Sequence, residues 1–187
     1  MITREKIIKA AVTLFIKQGI AKTTTKQIAT RAHVSEGSIY RHFPSKEELA
    51  WQVFRDYHAY IAQQLQDSLI ESTSMPSKIE ALVGRFLKVA DEDWLMFSYY
   101  LTSQHTYMAK VRHEMLTPYR VLNEVVKQGM YKGEIDKSNV DVMTAMVMGA
   151  VHQTALNKIY SRISGDLYKH VTLVSKTVKH MLISEVK

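Results

Sequence analysis

Apolar residues recur at three- and four-residue spacing through almost the whole chain, which is the period of helices buried along one side. Ile7, Ile8, Ala11, Leu14 and Phe15 form one stripe. With Thr3 as a cap and Gly19 as a left-handed stop, they predict a helix ending near Lys17. Thr24 and Gln27 make a capping-box pair opening a short helix that buries Ile28, Ala29 and Ala32. A turn at His33-Val34 leads to Ser35, the N-cap of a third helix. Pro44 ends that helix, because a residue before proline avoids the helical region. Ser45 and Glu48 form a further capping box, heading a long helix that reaches about Leu69.

The polar stretch Glu71–Ser77 is the sharpest break in composition. Beyond it, Ser77 and Glu80 head a helix carrying Ile79, Leu82, Val83, Phe86, Leu87 and Ala90. Asp91-Glu92-Asp93 suits the positive end of the next helix dipole, with Trp94, Leu95, Phe97 and Leu101 following. A long helix is expected over about 108–131, bent at Pro118 and closed by Gly133. Two more follow, over about 140–163 and 167–186. No strand pattern, sequence repeat or low-complexity tract interrupts this series, so the fold class is all-α. The expected organisation is a three-helix, helix-turn-helix unit over 1–47, which includes the start of the connecting helix, and a larger helical domain over 48–187.

The third helix divides its faces. A step of about 100° per residue puts Ile39 and Phe43 on one side and Gly37 and Arg41 opposite, with Ser38 and Tyr40 on the flanks. Gly37 costs roughly 1 kcal/mol of helix propensity, which asks for a reason such as close backbone approach to a partner. A helix anchored on one side and polar on the other suits the DNA major groove. Thr24, Thr25, Tyr40, His42 and Lys46 are candidates for phosphate contacts, and Ser38 and Arg41 for base edges. Ser35 and the N–H groups at the helix start offer a further phosphate site. Glu36 either accepts from a cytosine amino group or faces solvent. The plainer alternative is a packing trihelix in which Tyr40 is a half-buried core aromatic.

Charge sharpens the picture. The formal net charge is +7; residues 1–50 hold nine Lys and Arg against four Asp and Glu, and the remainder sixteen against fourteen. A basic excess crowded into that end points to a polyanionic partner. The 187 residues contain no cysteine, so disulfides and thiolate chemistry are excluded. No leader pattern opens the chain, and no apolar run approaches the ~18 residues of a membrane span. A cytoplasmic protein without membrane association is expected.

Residues 22–48, and above all Tyr40-x-x-Phe43-x-Ser45-Lys46-Glu47-Glu48-Leu49, resemble the DNA-binding signature of TetR-family transcriptional regulators. The resemblance covers about residues 1–55. It implies that Thr24, Gly37, Ser38, Tyr40 and Lys46 occupy DNA-contacting positions. His33 departs from the pattern, standing where the family usually has glycine at the turn. The resemblance also implies a homodimer on a near-palindromic double-stranded operator, acting as a repressor and released by a small effector bound in the C-terminal domain, with no cofactor.

That domain offers candidates for both roles. Trp94, Phe97, Tyr100, Tyr107, Met115, Tyr119, Met143, Met146 and His152 are large, adaptable side chains suited to lining a pocket for an apolar or aromatic ligand, although each also suits ordinary core. Val171, Val174, Val178 and Met181 recur at near-heptad spacing, and Ala145 and Gly149 permit close helix approach. Together they could form a dimer seam or pack within one subunit. His105 and His113 match no compact metal-ligand spacing, and no nucleophile-base order or phosphate loop is present. Neither metal nor catalytic residues are assigned. The rivals are a DNA-binding regulator with no small-molecule effector, controlled by abundance or a protein partner, and a helical ligand-binding or enzymatic domain with an unused trihelix.

Overall fold

The computed structural model describes residues 3–183, and every regular element among them is helical. The helices are α1 (Thr3–Gln18), α2 (Thr25–Ala32), α3 (Glu36–His42), α4 (Lys46–Ser68), α5 (Met75–Glu92), α6 (Trp94–Tyr107), α7 (Pro118–Lys132), α8 (Val140–Ile159) and α9 (Val171–Leu182). Short 3-10 turns at Met108–Lys110 and Tyr168–His170 precede α7 and α9. The chain forms two compact units. The first runs up to Tyr57 and takes in Leu95–His113; the second comprises His58–Trp94 and the chain from Glu114 onward. No helix among the described residues is long and apolar enough to cross a membrane.

In the first unit, α1 packs on α2 and α3 through Ile7, Ala11, Phe15, Ile28, Ala29, Ile39 and Phe43, all buried. Covering Ile39 and Phe43 completely contributes about 1.5–3 kcal/mol each. The first half of α4 adds Trp51 and Phe54. Their rings lie 5.7 and 5.3 Å from Tyr107, and Phe15 lies 5.9 Å from Tyr99. The Tyr99 hydroxyl donates to the Ala50 carbonyl at 2.7 Å, and burial pushes that phenol far above its usual range.

In the second unit α5 is the hub, packed on α7, α8 and α9. Gly129 on α7 permits the close approach of Met75 and Ile135, since a Cβ there would lie 2.6 Å from Met75 Cε. Asp91, near the end of α5, accepts from the Leu167 and Tyr168 backbone N–H groups at 3.0 and 2.8 Å and from Lys158 Nζ at 3.1 Å. Burial alone would raise its pKa, but these donors hold the carboxyl below the usual range.

Several boundaries differ from expectation. Thr3 lies inside α1 instead of capping it. The capping box of α5 is Ser74 with Ser77, one turn earlier than the Ser77–Glu80 pair, with proline in its first turn. Asp91 and Glu92 finish α5, and Asp93 caps its end rather than heading α6. Pro118 opens α7 behind the N-cap Thr117 and does not bend a longer helix, because the first helical position has no hydrogen bond for proline to break. Ser161 takes φ +57° and ends α8 four residues before the expected Ile163. The last helix, expected over 167–186, begins at Val171 behind the 3-10 turn and ends at Leu182, where Ile183 takes extended backbone; 184–187 lie outside the described residues.

Candidate nucleic-acid interface

The helix-turn-helix is built by two N-caps and one left-handed turn. Thr24 adopts extended backbone and accepts from the Gln27 N–H at 3.2 Å, while Gln27 Oε1 accepts from the Thr24 N–H at 2.9 Å. This is the expected capping box. His33 ends α2 with φ 55° and ψ 48°, its N–H shared between the Ala29 and Thr30 carbonyls. A non-glycine residue in this region stores about 1–3 kcal/mol. Ser35 caps α3 and accepts from the Ser38 N–H at 3.2 Å.

Tyr40 (53% exposed) and Arg41 stand on the outer edge of α3, opposite the buried Ile39 and Phe43. Thr24, Glu36, Gly37 and His42 are exposed beside them. A Cβ on Gly37 would meet nothing nearer than Ser35 Oγ at 3.9 Å, so no contact within the protein requires glycine there. Thr25 donates to Glu36 Oε2 at 2.9 Å and lies 3.4 Å from the Tyr40 hydroxyl. Two candidate phosphate donors and one carboxylate therefore form a single cluster.

Two expected contact residues are placed differently. Ser38 is only 8% exposed, and its hydroxyl lies 2.9 Å from Ser35 Oγ and accepts from Arg41 Nη2 at 3.0 Å. It steers Arg41 and does not itself present a group to a base edge. Lys46 keeps 17% of its side chain exposed; its ammonium donates to the Thr23 carbonyl at 2.9 Å and pairs with Glu47 at 3.4 Å. It ties the loop ahead of α2 to α4, a duty that the sequence string did not disclose.

The predicted ligand residues do not converge. A small apolar cavity of about 40 Å³ in the second unit is lined by Leu65, Leu82, Val83, Phe86, Pro118, Leu122, Val147, Met148, Val151 and His152. Of the nine expected residues, His152 alone lines it. Its ring stacks on Phe86 at 5.0 Å, and burial together with nearby His58 lowers its pKa to about 4. Burial likewise lowers His58 to about 4. Phe97, Tyr100 and Tyr107 belong instead to the buried aromatic cluster of the first unit. Trp94 lies under Lys158 at 4.3 Å, Tyr119 donates to Asp141 at 2.7 Å, Met143 is half-buried, Met146 is 50% exposed, and Met115 sits in the loop before α7. The cavity walls are mostly Leu and Val, which look like ordinary core in sequence, with Phe86, Met148 and His152 among them.

The expected dimer seam is also divided. Val174 and Val178 are buried on the side of α9 that packs within its own unit, and Val171 lies against Gly84 of α5. Ala145 and Gly149 are exposed along α8, and Met181 is half-buried.

Residues 7–53 match the family model of bacterial regulatory proteins of the tetR family. Over 185 residues, covering 96% of this chain and 93% of the relative, the sequence is 23% identical to the fatty acid metabolism regulator protein of Bacillus subtilis strain 168. The fold is similar to that of a TetR family transcription regulator from Marinobacter aquaeolei VT8, with TM-score 0.79, 17% identity and coverage of 98% and 96% of the two chains. It is also similar to the transcriptional regulator FadR from Bacillus subtilis, crystallised in complex with stearoyl-CoA, with TM-score 0.75, 17% identity and coverage of 98% and 99%. Residues 7–53 thus carry the helix-turn-helix domain of the tetR family of bacterial regulatory proteins, and the whole chain shares the fold of TetR family regulators.

Proposed function

We propose that the protein is a cytoplasmic, homodimeric, non-enzymatic repressor. In this reading, two copies place α3 in successive major grooves of a near-palindromic duplex, one turn or about 34–36 Å apart. The observation that carries this is the division of α3: Ile39 and Phe43 are fully buried while Tyr40 and Arg41 project. Arg41, held at its base by Ser38, reads a base edge; Tyr40, Thr24, Thr25 and His42 hold phosphates. Dimerisation is supported by apolar residues exposed along one stripe of α8, namely Val142, Ala145, Met146 and Gly149. The DNA arm is tested by anisotropy titration of a duplex selected from a random library by the wild-type protein. Arg41→Ala and Tyr40→Ala each weaken binding at least tenfold, and unchanged affinity in both overturns the reading.

The effector is an apolar chain that enters the cavity between α5, α7 and α8, widens it, and shifts α4, whose residues belong to both units. An acyl-CoA is the first to try, because the similarly folded Bacillus subtilis regulator was crystallised with stearoyl-CoA. A coupling of roughly 1–3 kcal/mol would lower operator occupancy 5- to 150-fold. A second reading, without any small-molecule effector, is favoured by the size of the cavity: about 40 Å³ is far below the ~300 Å³ of ordinary ligand sites. Stearoyl-CoA that neither raises the melting temperature nor releases DNA would favour that second reading.

A further inference from the structure

Four cations of the first unit line one open groove of about 990 Å³ between α1 and α2. Lys6 and Lys9 stand on α1, and Lys26 and Arg31 on α2; all are exposed. None forms an ion pair or side-chain hydrogen bond among the described residues, and no Asp or Glu lines the groove. Elsewhere in the same unit, Arg4 and Arg55 share Asp56, and Lys46 pairs with Glu47. Like charges gathered in a concavity focus a positive potential and raise the energy of the compact chain, which a polyanion relieves. The groove is continuous with the recognition surface, because Thr24, the N-cap of α2, lines it too.

We infer that this groove binds the sugar-phosphate backbone of duplex DNA lying beyond the base pairs read by α3, extending the contact in a sequence-independent way. The inference rests on the proposed DNA-binding function. Neutralising phosphates releases condensed counterions, so each contact steepens the salt dependence of binding by about 0.9 in log–log slope. The groove thereby adds affinity without adding specificity.

The test uses a duplex selected by the wild-type protein, trimmed to the shortest form that still binds, and the same core extended by about ten base pairs on each side with two unrelated sequences. Binding is measured by anisotropy across a salt series. Extension is expected to tighten wild-type binding about tenfold with either flank, and to steepen the slope. The variant Lys6→Gln/Lys9→Gln/Arg31→Gln loses that gain yet keeps its affinity for the trimmed core and its far-UV circular dichroism, while Lys6→Arg/Lys9→Arg keeps the gain. No gain in the wild type, a gain that survives the glutamine variant, or an equal loss on both duplexes overturns the inference. Arg41→Ala, scored on the trimmed core, tests the recognition helix separately.

Discussion

The first unit holds twelve Lys and Arg against five Asp and Glu, and the second holds thirteen of each, so the entire net charge of the chain resides in the first. The second unit uses its charges internally: Lys158 holds Asp91, Arg85 pairs with Glu92, and Lys179 with Glu80. It also buries two histidines in neutral form. In the first unit, Lys6, Lys9, Lys26 and Arg31 have no such partner among the described residues. A surface left unbalanced is one that a ligand of opposite sign completes, whereas a balanced interior is sensitive to any charge added to it.

Acidification should sharpen this contrast most. His58 and His152 have folded pKa values of about 4, below the ordinary 6.5, so between those limits the unfolded chain binds more protons. Stability is then complete above pH 6.5 and is lost as pH falls toward 4, by on the order of 3 kcal/mol for each histidine. Urea denaturation at pH 7 and pH 5 should show the loss, and His152→Leu should reduce it; a slope unchanged in that variant would separate the effect from this ring. Next in size, Arg41→Ala is expected to cost about 1.4–3 kcal/mol of operator binding with little change in melting temperature, because within the chain it gives up only the bond to the Ser38 hydroxyl.

Gly37→Ala should divide stability from binding. The free protein gains about 0.5–1 kcal/mol from helix propensity, since the added methyl has room, while DNA affinity falls if backbone and duplex approach closely. Equal affinity would show that the glycine serves no contact. The smallest effect is expected from His33→Gly, a gain of less than about 1 kcal/mol in thermal stability as positive-φ strain is relieved at some cost in chain entropy.

What could be read from the sequence was local. Thr24 with Gln27, Ser35, and Gly133 in the left-handed region mark helix ends through bonds to residues a few positions away, and all three act as expected. Pro118 was ambiguous because proline can bend a helix or begin one, and only the surrounding chain decides. The recognition face was legible in Ile39, Phe43, Tyr40 and Arg41, but Ser38 sits at the border between faces, where one turn of packing decides burial. The cavity was not legible. α6 is apolar nearly all round, so periodicity could not say that Phe97 and Tyr100 join Phe54. The groove cations were visible as Lys6 and Lys9 one turn apart on the polar side of α1, yet their lack of partners is a property of three dimensions.

The Glu36 carboxylate that accepts the Thr25 hydroxyl has a consequence for how quickly a regulator finds its site. In the proposed complex, arbitrary sequence would meet a carboxylate that repels phosphate and keeps that hydroxyl engaged, so unproductive encounters would be brief. A stretch offering an amino hydrogen to that oxygen would repay the exchange, leaving less time spent at wrong addresses.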